Sequence, residues 1–345
     1  MTGPASRTGV LVMAHGTPAT TEGIEPFYTA IRHGRRPDAD LLAELVGRYQ
    51  AIGGTSPLTG RTAAQVAGLA AVLESGTPGG YVVRYGSKYT DPSIEAGMAA
   101  LLAEGVDRVV GLVLTPHESA LGSGEYLRRA GAAAASAIRP PAVVPVASWH
   151  RAPGLASLLA DRTAAALASL PTERRVRPVV FFSAHSLPQR ALTEGDPYPT
   201  QVEESAADIA AVLGLDRESG PSWSVAWQSA GRTPEPWLGP DLLSQIRRVA
   251  AEGATSVVVC PVGFVSDHLE ILYDLDIEAA GVAGRAGVAF TRTRSLNDDP
   301  RFLAILADVV RDAARAPRDA TAGDQPAAPS APGRRTSSAA GPPPA

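Results

Sequence analysis

The segment "SDHLEILYDLDIE" holds His268, Glu270, Asp274 and Glu278, side chains able to bind a cation or a proton. The three carboxylates stand four residues apart, so a helix would carry them on one face as an acidic stripe. Like charges at that spacing oppose helix formation unless something compensates them. Leu269, Ile271, Leu272, Leu275 and Ile277 leave little of the helix free to serve as a solvated polar face. A carboxylate row flanked by apolar side chains suits the passage of a hard or borderline cation. Histidines with the same chemical reach stand elsewhere. The runs "VLVMAH" and "VVFFSAH" each end in Ala-His, at His15 and His185, and "VLTPH" ends a third run at His117. Neutral imidazole with carboxylates is a donor set for first-row divalent metals, with iron(II), cobalt and nickel all eligible. Imidazole is also the usual proton acceptor near neutral pH.

These groups act together only if strands deliver them to one place. Eight short apolar runs recur: "GVLVMAH", "YVVRYGS", "RVVGLVLTPH", "AVVPVAS", "PVVFFSAHS", "SWSVAWQS", "SVVVCPVGF" and "VAFTRTRS". Between them lie helical patterns such as "EAGMAALLAEG" and "DLLSQIRRVAAEG", apolar at i, i+3, i+4 and i+7 and closed by glycine. Strand alternating with helix is the signature of a parallel sheet covered on both faces. The runs fall into two sets of four that match in order, each set opening on Ala-His. The sequence therefore predicts an α/β protein of two similar Rossmann-like halves, 1–150 and 165–315, whose parallel sheets face a cleft. Ligands of such sheets bind at the carboxyl ends of strands, which is where His15, His117 and His185 fall. The first half carries an inserted segment, 19–62, with two amphipathic helix patterns and five arginines. A cation-rich flap beside a cleft suits a large anionic ligand. From about residue 316 the chain turns to Ala, Pro, Gly and Ser, so 316–345 is expected to be a disordered tail.

Composition removes several classes of function. A net charge of -4 offers no basic surplus for nucleic acid. The single cysteine, Cys260, rules out an iron–sulfur cluster or an internal disulfide. No apolar run approaches the ~20 residues of a membrane span, and the expectation is a soluble, cytoplasmic protein. No GxGxxG follows a strand and no GxxxxGK[ST] occurs, so a nucleotide cofactor has no support. The HExxH spacing of a hydrolytic zinc site is also missing.

The segments "VMAHGTP", "FYTAIRHGRRP", "RYQAIGGTSPL", "PHESALGSGEY", "FFSAHSLPQR", "WQSAGRTPEPWLGPD" and "PVGFVSDHLEILYDLDIE" together resemble the motif set of the ferrochelatases. The nearest likeness is the soluble bacterial type that inserts iron into coproporphyrin III, running in order from about residue 9 to 312. The resemblance implies a lyase of haem biosynthesis whose substrates are ferrous iron and a porphyrin, with no nucleotide. It implies that His185 and Glu270 are the catalytic pair, binding the incoming metal, accepting pyrrole protons, or both. Asp274 and Glu278 would continue the metal path and hold a second divalent cation. His15, Arg32, Arg48, Tyr49, Ser56, Lys88 and Tyr126 would contact the porphyrin and its propionates. The expected state is a monomer, with transient contacts to neighbouring haem-pathway enzymes allowed. One residue departs from the pattern: the bacterial coproporphyrin type generally carries tyrosine where this chain has His15. That change keeps open a chelatase for cobalt or another metal acting on a different tetrapyrrole. A haem or coprohaem carrier without turnover is the third reading.

Overall fold

In the computed structural model, which describes residues 7–192, 195–215, 222–231 and 233–316, each of the eight apolar runs forms a strand. The chain begins with β1 (Thr8–Ala14), then α1 (Ile24–Ile31), α2 (Ala39–Ala51) and α3 (Leu58–Gly76). It continues through β2 (Tyr81–Ser87), α4 (Ile94–Ala103), β3 (Arg108–Val113), α5 (Glu125–Ala135) and β4 (Ala142–Val146). After α6 (Leu155–Ser169) the pattern repeats: β5 (Pro178–His185), α7 (Tyr198–Leu213), β6 (Ser222–Gln228), α8 (Leu242–Ala251) and β7 (Ser256–Pro261). The last elements are α9 (Leu269–Leu272), α10 (Ala280–Arg285), β8 (Ala289–Arg292) and α11 (Pro300–Arg315).

Both sheets are parallel and share one strand order, β2-β1-β3-β4 and β6-β5-β7-β8. The strands that end in Ala-His, β1 and β5, therefore occupy equivalent inner positions. The alternation of side chains along each inner strand explains why its run is apolar throughout. Val10 and Val12 point into the same core as Val180 and Phe182. Leu11 and Met13 face outward onto α4 and α5, and Val179 and Phe181 onto α8 and α10. The two sheets thus have separate outer layers but share one central core.

The last helix breaks the linear division into halves. Although α11 lies within 165–315, it packs on α3, β3 and β4 of the first sheet. Its residues Phe302, Ile305, Leu306 and Val310 join the central core. Arg311 donates to the Val72 carbonyl at 3.1 Å, and Arg108 donates to the carbonyl of Ala316 at 2.7 Å. The chain thus crosses between lobes twice, through α6 and through α11. Within the inserted segment, α1 and α2 are the additional helices, while α3 occupies the place that α7 takes in the second lobe. The tail lies, Ala316 apart, outside the described residues. No helix among the described residues is long and apolar enough to cross a membrane.

Candidate active site

The two Ala-His strand ends are built alike. At each, the imidazole Nδ1 faces the carbonyl of the next residue, Gly16 for His15 at 3.2 Å and Ser186 for His185. A carbonyl only accepts, so Nδ1 carries the proton and Nε2 is the atom each ring offers to the cleft. The turns behind them leave no room for a side chain. A Cβ on Gly16, whose φ is +86°, would sit 2.3 Å from Ser87 Oγ; one on Gly263 would sit 3.0 Å from Ala184 Cα. Glycine at these two points lets the following loops press against the strand ends and fix the histidines.

From that shared frame the two imidazoles diverge. His185 Nε2 lies 3.4 Å from Glu270 Oε1, on the first turn after β7. Burial alone would lower the His185 pKa, but the charge and hydrogen bond of Glu270, the Ser186 carbonyl and Asp274 outweigh it and raise it to about 9. Burial likewise works to raise the Glu270 pKa, yet His185 and then His268 hold it well below the ordinary range. At neutral pH the two groups form an ion pair with one shared proton. Among the described residues, His15 has no acidic side chain within ion-pair distance. The residue is exposed to solvent, yet the packed groups around its ring strip enough water from it to be the main reason its pKa falls to about 4. Glu270 and the Gly16 carbonyl oppose that shift, while Lys88 and His268 add to it. His15 is therefore a neutral imidazole with a free lone pair, held edge-on between Phe27 at 5.7 Å and Tyr89 at 4.9 Å.

Glu270 is the hub where the lobes meet. Its charge acts on His15 just after β1, on Tyr28 and Tyr49 of the flap helices, and on Tyr198 of α7. His268 flanks it on the other side, with Nε2 3.7 Å from Glu270 Oε2 and Nδ1 2.9 Å from the Ser266 carbonyl. The Phe264 ring lies between the two histidines, 6.3 Å from His185 and 5.0 Å from His268. His268 is a functional candidate that the sequence placed beside Glu270 without giving it a role. The signal was the His-x-Glu spacing on an extended helix cap, which turns both side chains to one side.

The acidic row does not lie on one α-helix. α9 ends after four residues, and Asp274–Ala279 form a π turn in which Glu278 N–H donates to the Tyr273 carbonyl at 2.9 Å. Over four residues an α-helix drifts about 40° around its axis. The wider π turn reverses that drift, so Glu270, Asp274 and Glu278 are strung along the axis. Among the described residues, no three His, Cys, Asp or Glu side chains approach closely enough to hold a metal ion. Residues one turn apart are separated by about 5.4 Å of rise, and Asp274 is already engaged. Its Oδ2 accepts from Ser229, and its Oδ1 lies 3.6 Å from Arg48. The expected four-member metal set, His185, Glu270, Asp274 and Glu278, is thus spread out rather than gathered into a cage. Such a spread suits a cation that must leave again.

Asp274 carries a measurable cost. Burial first, and repulsion from Glu270 second, raise its pKa from 3.8 to about 6, against the pull of Ser229 and Arg48. A folded-state pKa above the unfolded value means that stability falls as pH rises from about 4 to 6, and the full cost is present at pH 7. Asp274→Asn is therefore expected to stabilise the protein by about 1–2 kcal/mol at pH 7, and by little at pH 4. Urea midpoints at the two pH values check this.

Several expected substrate contacts have other partners. Arg48 pairs with Glu44 at 3.0 Å as well as Asp274, and lies over the Tyr273 ring at 5.0 Å. Lys88 is ion-paired with Glu125 at 2.8 Å and covered by the rings of Tyr89 and Tyr126, its side chain only 7% exposed. Tyr126 belongs to the outer core of the first lobe. Ser56 accepts from Leu58 N–H and so caps the start of α3. Tyr49 is buried in the flap, its hydroxyl 3.4 Å from Thr17 Oγ1. Arg32 stands at the end of α1, where it and Arg35 each donate to the other's backbone carbonyl. His117 does not reach the cleft at all. It is buried, with Nε2 2.8 Å from Ser205 of α7, and burial lowers its pKa to about 3.

Comparison with solved structures gives the class. SirB of Bacillus subtilis, solved with Fe3+, superposes with a TM-score of 0.54 at 13% identity, covering 90% of this chain and 96% of that one. The two parallel lobes of one strand order are thus an α/β fold shared with SirB, a sirohydrochlorin chelatase. Sequence comparison goes further, since the ferrochelatase family model matches residues 7–314. A ferrochelatase of Herpetosiphon aurantiacus is 42% identical over 306 residues, covering 89% of this chain and 99% of the relative. A coproporphyrin III ferrochelatase of Geobacillus kaustophilus is 41% identical over 304 residues, covering 88% and 94%. The chain belongs to the ferrochelatase family.

Proposed function

We propose that the protein inserts ferrous iron into coproporphyrin III, releasing Fe-coproporphyrin III and two protons, as a step of haem biosynthesis. The observation that carries this reading is the meeting of His185 and Glu270 as an imidazole–carboxylate pair, with another imidazole, His15, near enough to feel the Glu270 charge. The names of the 41–42% identical relatives support the substrate.

The chemistry follows from the groups in place. A flat free-base macrocycle keeps its four nitrogens out of reach of a metal approaching from outside. Binding energy from the ring's carboxylates can be spent on bending it, which exposes the nitrogen lone pairs. Arg32 of the flap serves those carboxylates, and Arg48, held by Glu44 and Asp274, shapes the pocket behind it with Lys88, Tyr49, Ser56 and Tyr126. Ferrous iron enters along Glu278, Asp274 and Glu270, which pass it on singly because they do not gather into a cage for a second, resident cation. As the cation reaches Glu270 it takes over the charge that had held the proton on His185. The proton leaves through the open edge of the ring, and the freed Nε2 accepts a pyrrole proton. One dication enters the macrocycle and two protons depart, so charge balances. His268, on the far side of Glu270, is placed to pass the second proton outward.

His15 faces the other side of the macrocycle with its lone pair free, and serves as axial ligand to the iron once it is in the ring. His15→Ala is expected to replace a nitrogen-ligated product spectrum by a water-ligated one and to speed product release. Absorption and electron paramagnetic resonance of the Fe-coproporphyrin complex check this. The overall reading is tested by assaying purified protein with coproporphyrin III, protoporphyrin IX and sirohydrochlorin against ferrous iron, cobalt and nickel. Turnover of iron with coproporphyrin III supports it. Turnover only of cobalt with sirohydrochlorin would replace it by the other chelatase reading, which His15 alone favours. Tight binding of Fe-coproporphyrin without turnover would make the protein a carrier.

A further inference from the structure

We propose that Tyr198 is a positioning residue that ties the backbone of His185 to the first lobe. Its hydroxyl donates to the His185 carbonyl at 2.9 Å, from a ring that is only 7% exposed. The ring is held on two sides. Trp227 of β6 packs at 5.6 Å, and His117 of the first lobe meets it edge-on at 6.1 Å. His117 is in turn fixed to α7 by Ser205, and stands 5.7 Å from His150.

Tyr198 opens α7, and that helix is the seam between the lobes. Gln201 accepts from the Glu118 N–H at 2.7 Å and from Ser148 Oγ at 3.0 Å. Just before α7, Asp196 accepts from Ala120 N–H at 3.0 Å. His150 and Glu204 meet at 2.8 Å. Loops after β3 and β4 are thereby fastened to the helix whose first residue grips the His185 carbonyl. His185 closes a strand whose register with β7 has already stopped at Ser183, so on that side the ladder no longer fixes the backbone. The carbonyl of His185 is held by Tyr198, and the following amide, Ser186 N–H, by the Gln228 carbonyl at 2.8 Å. His117, which the strand-end rule would send into the cleft, thus acts on the site through Tyr198.

This inference rests on the role given to His185 above. Tyr198→Phe keeps the ring between His117 and Trp227 and removes only the donor. The expected result is a fall in kcat of about tenfold, with the porphyrin KM unchanged within about twofold, because ring binding does not depend on the His185 carbonyl. On a His185→Ala background the same substitution is expected to cost nothing further. Ser205→Ala, which frees His117, should show the same split at about two- to threefold. An unchanged kcat in Tyr198→Phe would overturn the inference. So would a tenfold loss that persists in full on the His185→Ala background, which would mark a structural role. Wild-type turnover by His185→Ala alone would instead remove the reading beneath it.

Discussion

Replacing Glu270 by glutamine is expected to lower the rate of iron insertion by about 10³-fold while leaving the fold intact. The substitution keeps shape and removes the charge that every wall of the cleft feels, from His15 and Tyr28 to Tyr198. Two losses combine. The metal path loses its innermost carboxylate, and His185 loses the partner that raises its pKa to about 9. Burial then prevails and the imidazole becomes neutral near pH 7, with no coupling between cation arrival and proton release. General acid–base contributions of 10²–10⁴-fold and the electrostatic stabilisation of a desolvated cation set the size of the effect. Folding suffers less than rate, because glutamine and neutral imidazole still hydrogen-bond. The checks are stopped-flow loss of free-base fluorescence and a urea midpoint. A variant that unfolds at wild-type midpoint and inserts iron at wild-type rate would contradict the assignment.

His185→Ala is expected to cost at least about 10²-fold, with a different signature. Here the carboxylate remains, with His268 still 3.7 Å from it, so the cation keeps its last station while the proton acceptor is gone. Porphyrin binding should hold within a few-fold, placing the loss in kcat. External imidazole at high concentration should restore part of the rate, since the ring sits at an open edge with its side chain 34% exposed. Rescue by imidazole and no rescue of Glu270→Gln would separate the proton role from the cation role. Equal rescue of both, or of neither, would merge them.

The eight strands and the equivalence of β1 and β5 in their separate sheets were readable because apolar β-branched runs bounded by helices leave few alternatives. The meeting of His185 with Glu270 was readable only through the family resemblance, since 85 positions separate them and no local spacing encodes their contact. The π turn was hidden for a different reason: residues four apart share a face in both α- and π-geometry, so the acidic stripe looks the same in either. Lys88 looked like a free cation because its acid, Glu125, lies on another element, whereas Arg48 pairs both with Glu44 one turn back on its own helix and with the distant Asp274. The return of α11 to the first sheet was equally silent, as an amphipathic helix names no partner. His117 shows the limit of the strand-end rule, which gives the end of the sheet but not which way the side chain turns.

The most direct measurement is a crystal structure with coproporphyrin III bound. The account expects a bent macrocycle between the lobes, with His185 Nε2 and Glu270 over one face, His15 Nε2 under the other, and propionates toward the flap arginines. A tetrapyrrole seated elsewhere, or one with His185 and Glu270 both off its face, would contradict it.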